Sequence, residues 1–344
     1  MKLSIIIPVY NAEGYIENTV DTIFEQKLND FELIIVNDGS TDNSLEVCNR
    51  IVKTYDNVKV FSKENEGVSV ARNYGVSKAT GEWVTFVDAD DGLMEGAFEE
   101  LDDILNSEYE LLLLDYTSNK NIANNFPNTN SSIDVDRLRR CVLNYVGYYK
   151  DIQKSGYLIN TYNNWTCWGN LFKREIIVNN NVLFPKGITH GEDLVFLYKY
   201  YSNISKAIHI NKVFYYYRLD NVSVTRRFNE KRIDNTKHLF EVLRECVNKE
   251  DEKDLYAFIC NRIFACCYLY FASNSNTASF SEKKKELSEF CEEDLVADAI
   301  DDWNADNKMS VGKKTDWFMK LVLNAIKNKR YALALLASKI FNRV

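Results

Sequence analysis

The chain has 344 residues, 46% of them hydrophobic and only 3 of them Pro. That length exceeds one small core and fits a large α/β domain with an accessory region, while the composition excludes a long disordered tail. A formal net charge of −8, from 42 basic and 50 acidic side chains, excludes general nucleic-acid binding through the body of the protein.

Leu3–Val9 is a continuous apolar run, predicted as a strand buried on both faces. The N-terminal apolar stretch is short and broken by Pro8, so it reads as this strand and not as a signal peptide. Glu13–Gln26 follows with helical spacing of Tyr15, Val20, Ile23 and Phe24. Phe31–Val36 is a second strand, closed by Asn-Asp-Gly-Ser-Thr-Asp, a turn cluster that can cap a helix over Asn43–Tyr55. Val58–Phe61 is a short strand, Gly67–Lys78 a helix and Glu82–Val87 a strand. A helix near Glu95–Leu105 and a strand near Glu110–Tyr116 complete this part. Such alternation predicts an α/β fold with a mostly parallel sheet wrapped by helices. In such sheets ligands bind at the carboxyl edge, where the polar clusters fall.

From Thr117 to Ser132 the chain is rich in Asn and Ser and reads as a loop. A helix is predicted near Asp134–Val146. Trp165–Arg218 mixes aromatic strands with a helix starting near Glu192, and after about Asn229 the pattern is helical. A domain boundary is therefore placed near residue 225, dividing an α/β domain (1–225) from a helical region (226–344). No stretch approaches the ~20 apolar residues of a membrane span.

Residues 313–344 carry Lys313, Lys314, Lys320, Lys327, Lys329, Arg330, Lys339 and Arg343 against the single acid Asp316. Trp317, Phe318, Leu321, Val322, Tyr331, Leu335, Leu336, Ile340 and Phe341 are interleaved with them. Two readings follow: docking on an anionic membrane surface, or a helix hairpin that closes a core and solvates its lysines. Eight scattered cysteines without a CxxC pair, and only three histidines, argue against zinc. The cysteines read as buried, reduced thiols of a cytoplasmic protein.

The chemistry concentrates at strand ends. Asp88-Ala89-Asp90 closes the Glu82–Val87 strand. In an extended segment residues i and i+2 point the same way, so two carboxylates could hold Mg²⁺ or Mn²⁺ with phosphate oxygens and water completing the shell. The competing reading is a helix N-cap cluster. An EF-hand is excluded, because Gly92 and Leu93 stand where that loop needs a ligand and then its glycine. Asp38 closes the second strand and could accept the imide N–H of a uracil. Pro8, Tyr10 and Asn11 close the first and offer an aromatic ring to a base. Far downstream, Gly191-Glu192-Asp193 opens a helical apolar run. Acids there suit a helix dipole, and a carboxylate there could also deprotonate a hydroxyl.

These residues together resemble a family 2 glycosyltransferase with the GT-A fold. The matching stretches are SIIIPVYNAEGYI (4–16), FELIIVNDGSTDNS (31–44), ENEGVSVARNYGVSKATGEWVTFVDADD (64–91), WGNLFKRE (168–175) and GED (191–193). The resemblance covers about the first 220 residues. It implies an inverting, metal-dependent transfer of a sugar from a nucleotide sugar, UDP-linked, to a saccharide or lipid-linked saccharide. Pro8, Tyr10 and Asp38 would hold uracil; Asn65 and Arg72 would line the nucleotide pocket, Arg72 on the base or ribose side. Asp88 would contact ribose or a metal-bound water, Asp90 would ligate the metal, and Asp91 would orient sugar hydroxyls. Asp193 would be the general base, with Glu192 tuning it, and Trp168 would form a wall for an acceptor ring. His190 would be either an acceptor contact or structural. Arg218 or Ser223 would touch the diphosphate, although this chain lacks the histidine that many relatives carry nearby. The expected setting is bacterial surface-polysaccharide or capsule synthesis, cytoplasmic and peripheral at the inner membrane face.

Two other classes compete. A non-catalytic sugar-nucleotide-binding or scaffold subunit has little need for both the DxD and the Glu-Asp pair. A nucleotidyltransferase would want a basic, glycine-rich N-terminal loop, and PVYNAEGYI is not one.

Overall fold

A computed structural model describes residues 1–26, 28, 30–99, 101–119, 130–144, 166–219, 229–304 and 312–341. In chain order the elements are β1 (Leu3–Val9), α1 (Ile16–Phe24), β2 (Phe31–Asp38), α2 (Ser44–Thr54), β3 (Val58–Lys63), α3 (Val68–Lys78), β4 (Trp83–Phe86), β5 (Gly92–Leu93), α4 (Asp102–Leu105) and β6 (Leu111–Thr117). They continue with β7 (Ser131–Ile133), α5 (Val135–Leu143), β8 (Asn170–Lys173), α6 (Arg174–Asn179), α7 (Glu192–Tyr201) and β9 (Ala207–Tyr216). Helices follow: α8 (Arg232–Cys246), α9 (Glu252–Cys266) running into a π-helical turn (Cys267–Phe271), α10 (Phe280–Cys291), α11 (Asp294–Asp302), α12 (Lys313–Lys327) and α13 (Tyr331–Phe341). The chain divides into two compact units, Met1–Arg139 with Lys154–Asn221, and Arg140–Gln153 with Val222–Val344.

In the first unit the strands form one sheet, ordered β3-β2-β1-β4-β8-β6-β9-β5, with β7 paired to β9. Strands β3, β2, β1 and β4 run parallel, Val9 opposite Asn37 and Ile6 opposite Phe86. This brings the carboxyl ends of β1, β2 and β4 to one edge. Every residue of β1 and β2 is buried, as the unbroken apolar runs require. Glu32, the acid near the start of β2, is held by Ser4 Oγ at 2.7 Å, Lys59 Nζ at 2.7 Å and Thr80 N at 2.6 Å. Burial opposes its charge, but Lys59, Ser4 and Thr80 prevail and hold its carboxyl at about 2.

The sheet as a whole is mixed. Strand β8 pairs antiparallel with both β4 and β6, and β9 takes β5 and β7 antiparallel. The apolar runs state burial but not direction, so the predicted parallel character holds for the β3–β4 half. The helix predicted over Glu95–Leu105 is confined to α4. Gly92–Leu93 pairs instead with Tyr215–Tyr216, Met94 N donates to Phe214 O at 3.0 Å, and Gly96 takes a left-handed φ of +70°. That conformation suits glycine and interrupts a helix. The predicted loop of 117–132 is shorter than expected on both sides, since β6 includes Thr117 and β7 begins at Ser131; residues 120–129 lie outside the described set.

The second unit is helical in its described residues, as predicted. α12 and α13 form a hairpin, and Phe318, Val322, Leu323, Ile326 and Leu335 are buried. The hairpin reading of the tail is therefore correct as far as packing goes. No helix among the described residues is long and apolar enough to cross a membrane.

Candidate functional site

The loops after β1 and β2 are stitched together. Asn11, in a left-handed conformation (φ 50°), donates its backbone N–H to Ser40 Oγ at 3.1 Å. Its carboxamide oxygen accepts from Thr41 N at 2.8 Å. Pro8 is buried in β1, and Tyr10 stands exposed at its end. Asp38 is buried; Oδ1 accepts from Lys63 Nζ (2.8 Å) and Glu66 N (3.1 Å), and Oδ2 from Gly67 N (2.8 Å). Gly39, at φ +66°, lets the backbone of Asn65 close in: a Cβ there would lie 2.6 Å from Asn65 N. Asn65 thus stands beside the end of β2.

Asp88–Asp91 is a turn, closed by Asp91 N donating to Asp88 O at 3.1 Å. The extended geometry expected of the DxD is absent, and its carboxylates diverge in task. Thr19 of α1 reaches up with its hydroxyl to the carbonyls of Ala89 (2.9 Å) and Asp91 (2.7 Å). The end of β9 closes the other side. Tyr215 Oη accepts from Asp88 N (3.1 Å) and donates to Asp91 Oδ2 (2.7 Å). Arg218 donates its backbone N–H to Asp91 Oδ1 (2.9 Å) and Nε to Asp90 O (2.7 Å), with its guanidinium over the Tyr15 ring. Asp91 is therefore turned inward. Burial pushes its carboxyl up to about 8, the charge of Asp88 adds to this, and the Arg218 and Tyr215 hydrogen bonds oppose it.

Arg72 of α3 joins the two halves of the site. Its Nη2 pairs with Asp88 Oδ1 at 2.9 Å, and its Nη1 with Asp193 Oδ1 at 2.7 Å and Glu192 Oε1 at 3.6 Å. The side chain is 4% exposed. Burial works against its charge, yet the carboxylates around it keep it firmly protonated. Asp193 Oδ2 also accepts from Cys167 N at 2.9 Å. Gly191, at φ 105°, opens α7 and turns Glu192 and Asp193 into this cluster. Burial raises both acids; Glu192 reaches about 7, helped by the neighbouring Asp193 charge, and Arg72 pulls the other way.

Of the candidate residues, Arg72 meets Asp88, Glu192 and Asp193, and Arg218 meets Asp90 and Asp91, with changed neighbours. Arg72 faces carboxylates where the base or ribose was expected. Trp168 is buried, stacked on Tyr215 (4.4 Å between centroids) and Tyr217 (5.7 Å), so it meets the site through Tyr215 and does not stand open as a wall. His190 is half-buried beside Gly191, its Nδ1 3.2 Å from Thr189 Oγ1. Ser223 lies outside the described residues. Thr19 and Cys167 were not singled out from the sequence. For Thr19 a signal existed: it is a polar residue on the buried stripe of Ile16, Val20 and Ile23.

Among the described residues no three His, Cys, Asp or Glu side chains gather as a metal cage. Asp88 is engaged by Arg72, and Asp90, half-buried, is the second acid of the DxD. One carboxylate, with water and phosphate oxygens to complete the shell, fits a hard cation such as Mg²⁺ or Mn²⁺.

A model of the family described as Glycosyl transferase family 2 matches residues 4–176. The glycosyltransferase YibD of Escherichia coli K12 is 33% identical over 248 residues, 71% of this chain and 69% of YibD. The minor teichoic acid biosynthesis protein GgaB of Bacillus subtilis is 27% identical over 262 residues, 70% of this chain and 26% of GgaB. Among solved structures, S. aureus TarS 1-349 in complex with UDP-GlcNAc aligns with a TM-score of 0.68 at 19% identity, covering 100% of this chain and 92% of that one. At that identity the likeness is one of fold.

Proposed function

Because the chain belongs to glycosyl transferase family 2 and is a glycosyltransferase with the GT-A fold, we propose that it moves a sugar from a UDP-linked donor to a saccharide acceptor with inversion at the anomeric carbon. One observation carries this reading: Arg72 draws Asp88, at the end of β4, and Asp193, at the start of α7, into one buried site.

The donor would lie along the carboxyl edge of β1, β2 and β4. A carboxylate has about four acceptor positions, and Asp38 has three filled, so one is open to the N–H of a uracil. Tyr10 offers a ring face beside it, with Pro8, Asn11 and Asn65 as the walls. Asp88 and Arg218 would meet the ribose and diphosphate. Asp90 would hold the divalent cation, which when bound neutralises charge on the departing diphosphate.

Asp193 would accept the proton of the attacking hydroxyl. The acceptor oxygen bonds to the anomeric carbon as the bond from that carbon to the diphosphate oxygen breaks, and UDP leaves with the electron pair. A carboxyl raised by burial is a stronger base than an ordinary one. One base opposite one leaving group gives a single displacement, hence inversion. UDP as the nucleotide is supported by the UDP-GlcNAc bound to TarS, and a cell-surface glycan as the product by the teichoic acid role of GgaB. A lipid-linked acceptor would be met at the inner membrane face, where the basic tail docks the enzyme.

Asp193→Asn tests the assignment. Asn keeps the shape and an oxygen for Arg72 but cannot take a proton. Transfer should be lost while calorimetric UDP binding stays near wild type; retained transfer would sink the base assignment.

A further inference from the structure

The second unit carries a surface that its own core does not use. α13 buries Tyr331, Ala334, Leu335 and Ala337 but presents Leu333, Leu336 (52% exposed) and Ile340 (56% exposed) outward. Their spacing of three and four residues places them on one face. Phe318 and Phe341 meet at 5.2 Å, so the start of α12 lies beside the end of α13; there Trp317 is 60% exposed. Leu336 also borders a groove of about 350 Å³, lined with it by Phe271, Phe280, Lys283, Leu335 and Lys339.

The charge at the groove is of one sign. Lys283 Nζ donates to Asn276 O at 2.7 Å, leaving two of its three N–H groups. Burial lowers the Lys283 ammonium, and the nearby charge of Lys339 lowers it further. Glu282 is turned away into a capping box with Ser279. Two like charges side by side are unfavourable, and an anion between them would relieve the repulsion. The unit's tail, basic on a chain of net charge −8, adds exposed Lys313, Lys314, Lys329 and Arg330.

We infer that this groove seats the headgroup of an anionic phospholipid between Lys283 and Lys339, while Leu336, Ile340 and Trp317 enter the acyl boundary of the membrane. An apolar stripe rimmed by lysines matches a membrane surface, in which both halves are satisfied at once. The inference rests on the proposed membrane docking and locates it on named residues.

The experiment uses the full chain in sedimentation with phosphatidylcholine vesicles, with and without phosphatidylglycerol. Wild type is expected to bind only the anionic vesicles, more weakly in high salt. In Lys283→Gln with Lys339→Gln, partitioning should fall about fivefold per charge removed. Leu336→Glu with Ile340→Glu, both on exposed positions, should lose binding while circular dichroism stays unchanged. If wild type ignores anionic vesicles, membrane docking itself falls and the groove with it. If wild type binds and both double variants bind equally well, docking stands but this site is overturned. The site is overturned equally if Leu336→Glu with Ile340→Glu only breaks up a dimer, which would make a second copy the occupant.

Discussion

A guanidinium donates in one plane, and Arg72 uses that plane to hold Asp88 and Asp193 on separate nitrogens. Three carboxylates around one cation leave an excess of negative charge. Burial and that excess raise both acids at the start of α7, Glu192 to about 7. The two acids at the start of α7 titrate as a pair. Deprotonating an acceptor needs Asp193 charged, so the transfer rate should fall as pH drops through about 7, where the pair takes up its proton. Glu192→Gln removes one negative charge beside Asp193. The pKa of Asp193 then falls, and the acidic limb of the rate profile should move down by on the order of one pH unit. A limb that stays in place, or moves up, would show that Glu192 does not tune the base. That Arg72 and Asp193 are both candidates for a site was legible from the stretches 64–91 and 191–193. That they touch was not, because 121 residues separate them and no local pattern encodes the contact.

The elements bring these residues together through β9. Its final residues clasp the Asp88–Asp91 turn from one side while Thr19 of α1 holds it from the other. Tyr215 is the centre of the clasp, and its ring is fixed by stacking on Trp168. Tyr215→Phe keeps that stacking and the volume, and removes only the hydroxyl. Asp88 N and Asp91 Oδ2 then lose their partner in a buried place, at a cost of about 1–3 kcal/mol. If the clasp positions Asp90 and Arg218 for the donor, the KM for the nucleotide sugar should rise several-fold with kcat changing less. A lower melting temperature with an unchanged KM would reduce the clasp to a structural tie. Strands β1, β2 and β4 were readable because buried parallel strands are apolar throughout. The pairing of β9 was not readable: its register against β6 shifts at Leu114 and Asp115, and its partner β5 is two residues long. The helix expected near Glu95 fails for a similar reason. Apolar residues at helical spacing were present, but Gly96 and the Phe214 carbonyl fix a different backbone.

At the scale of the whole molecule, the tail shows why its two readings could not be separated by sequence. α13 is apolar on nearly all sides, so a buried stripe and an exposed stripe lie on roughly opposite faces of the same helix. Packing and membrane docking are then properties of different faces, and removing the helices removes both. Deleting residues 313–344 would strip Phe318, Met319, Val322, Leu323, Ile326 and Leu335 from the second unit's core. Each is worth about 1.5–3 kcal/mol on burial, so the six together amount to about 9–18 kcal/mol, as large as the 5–15 kcal/mol by which a domain is ordinarily stable. The truncated protein should therefore lose more helical circular dichroism than the 26 residues of α12 and α13 account for. A loss limited to those residues, with the remaining helices melting as before, would mean that α8–α11 fold without the hairpin. In that case the tail would be an appendage whose burial contributes little, and the exposed stripe would stand as its main purpose.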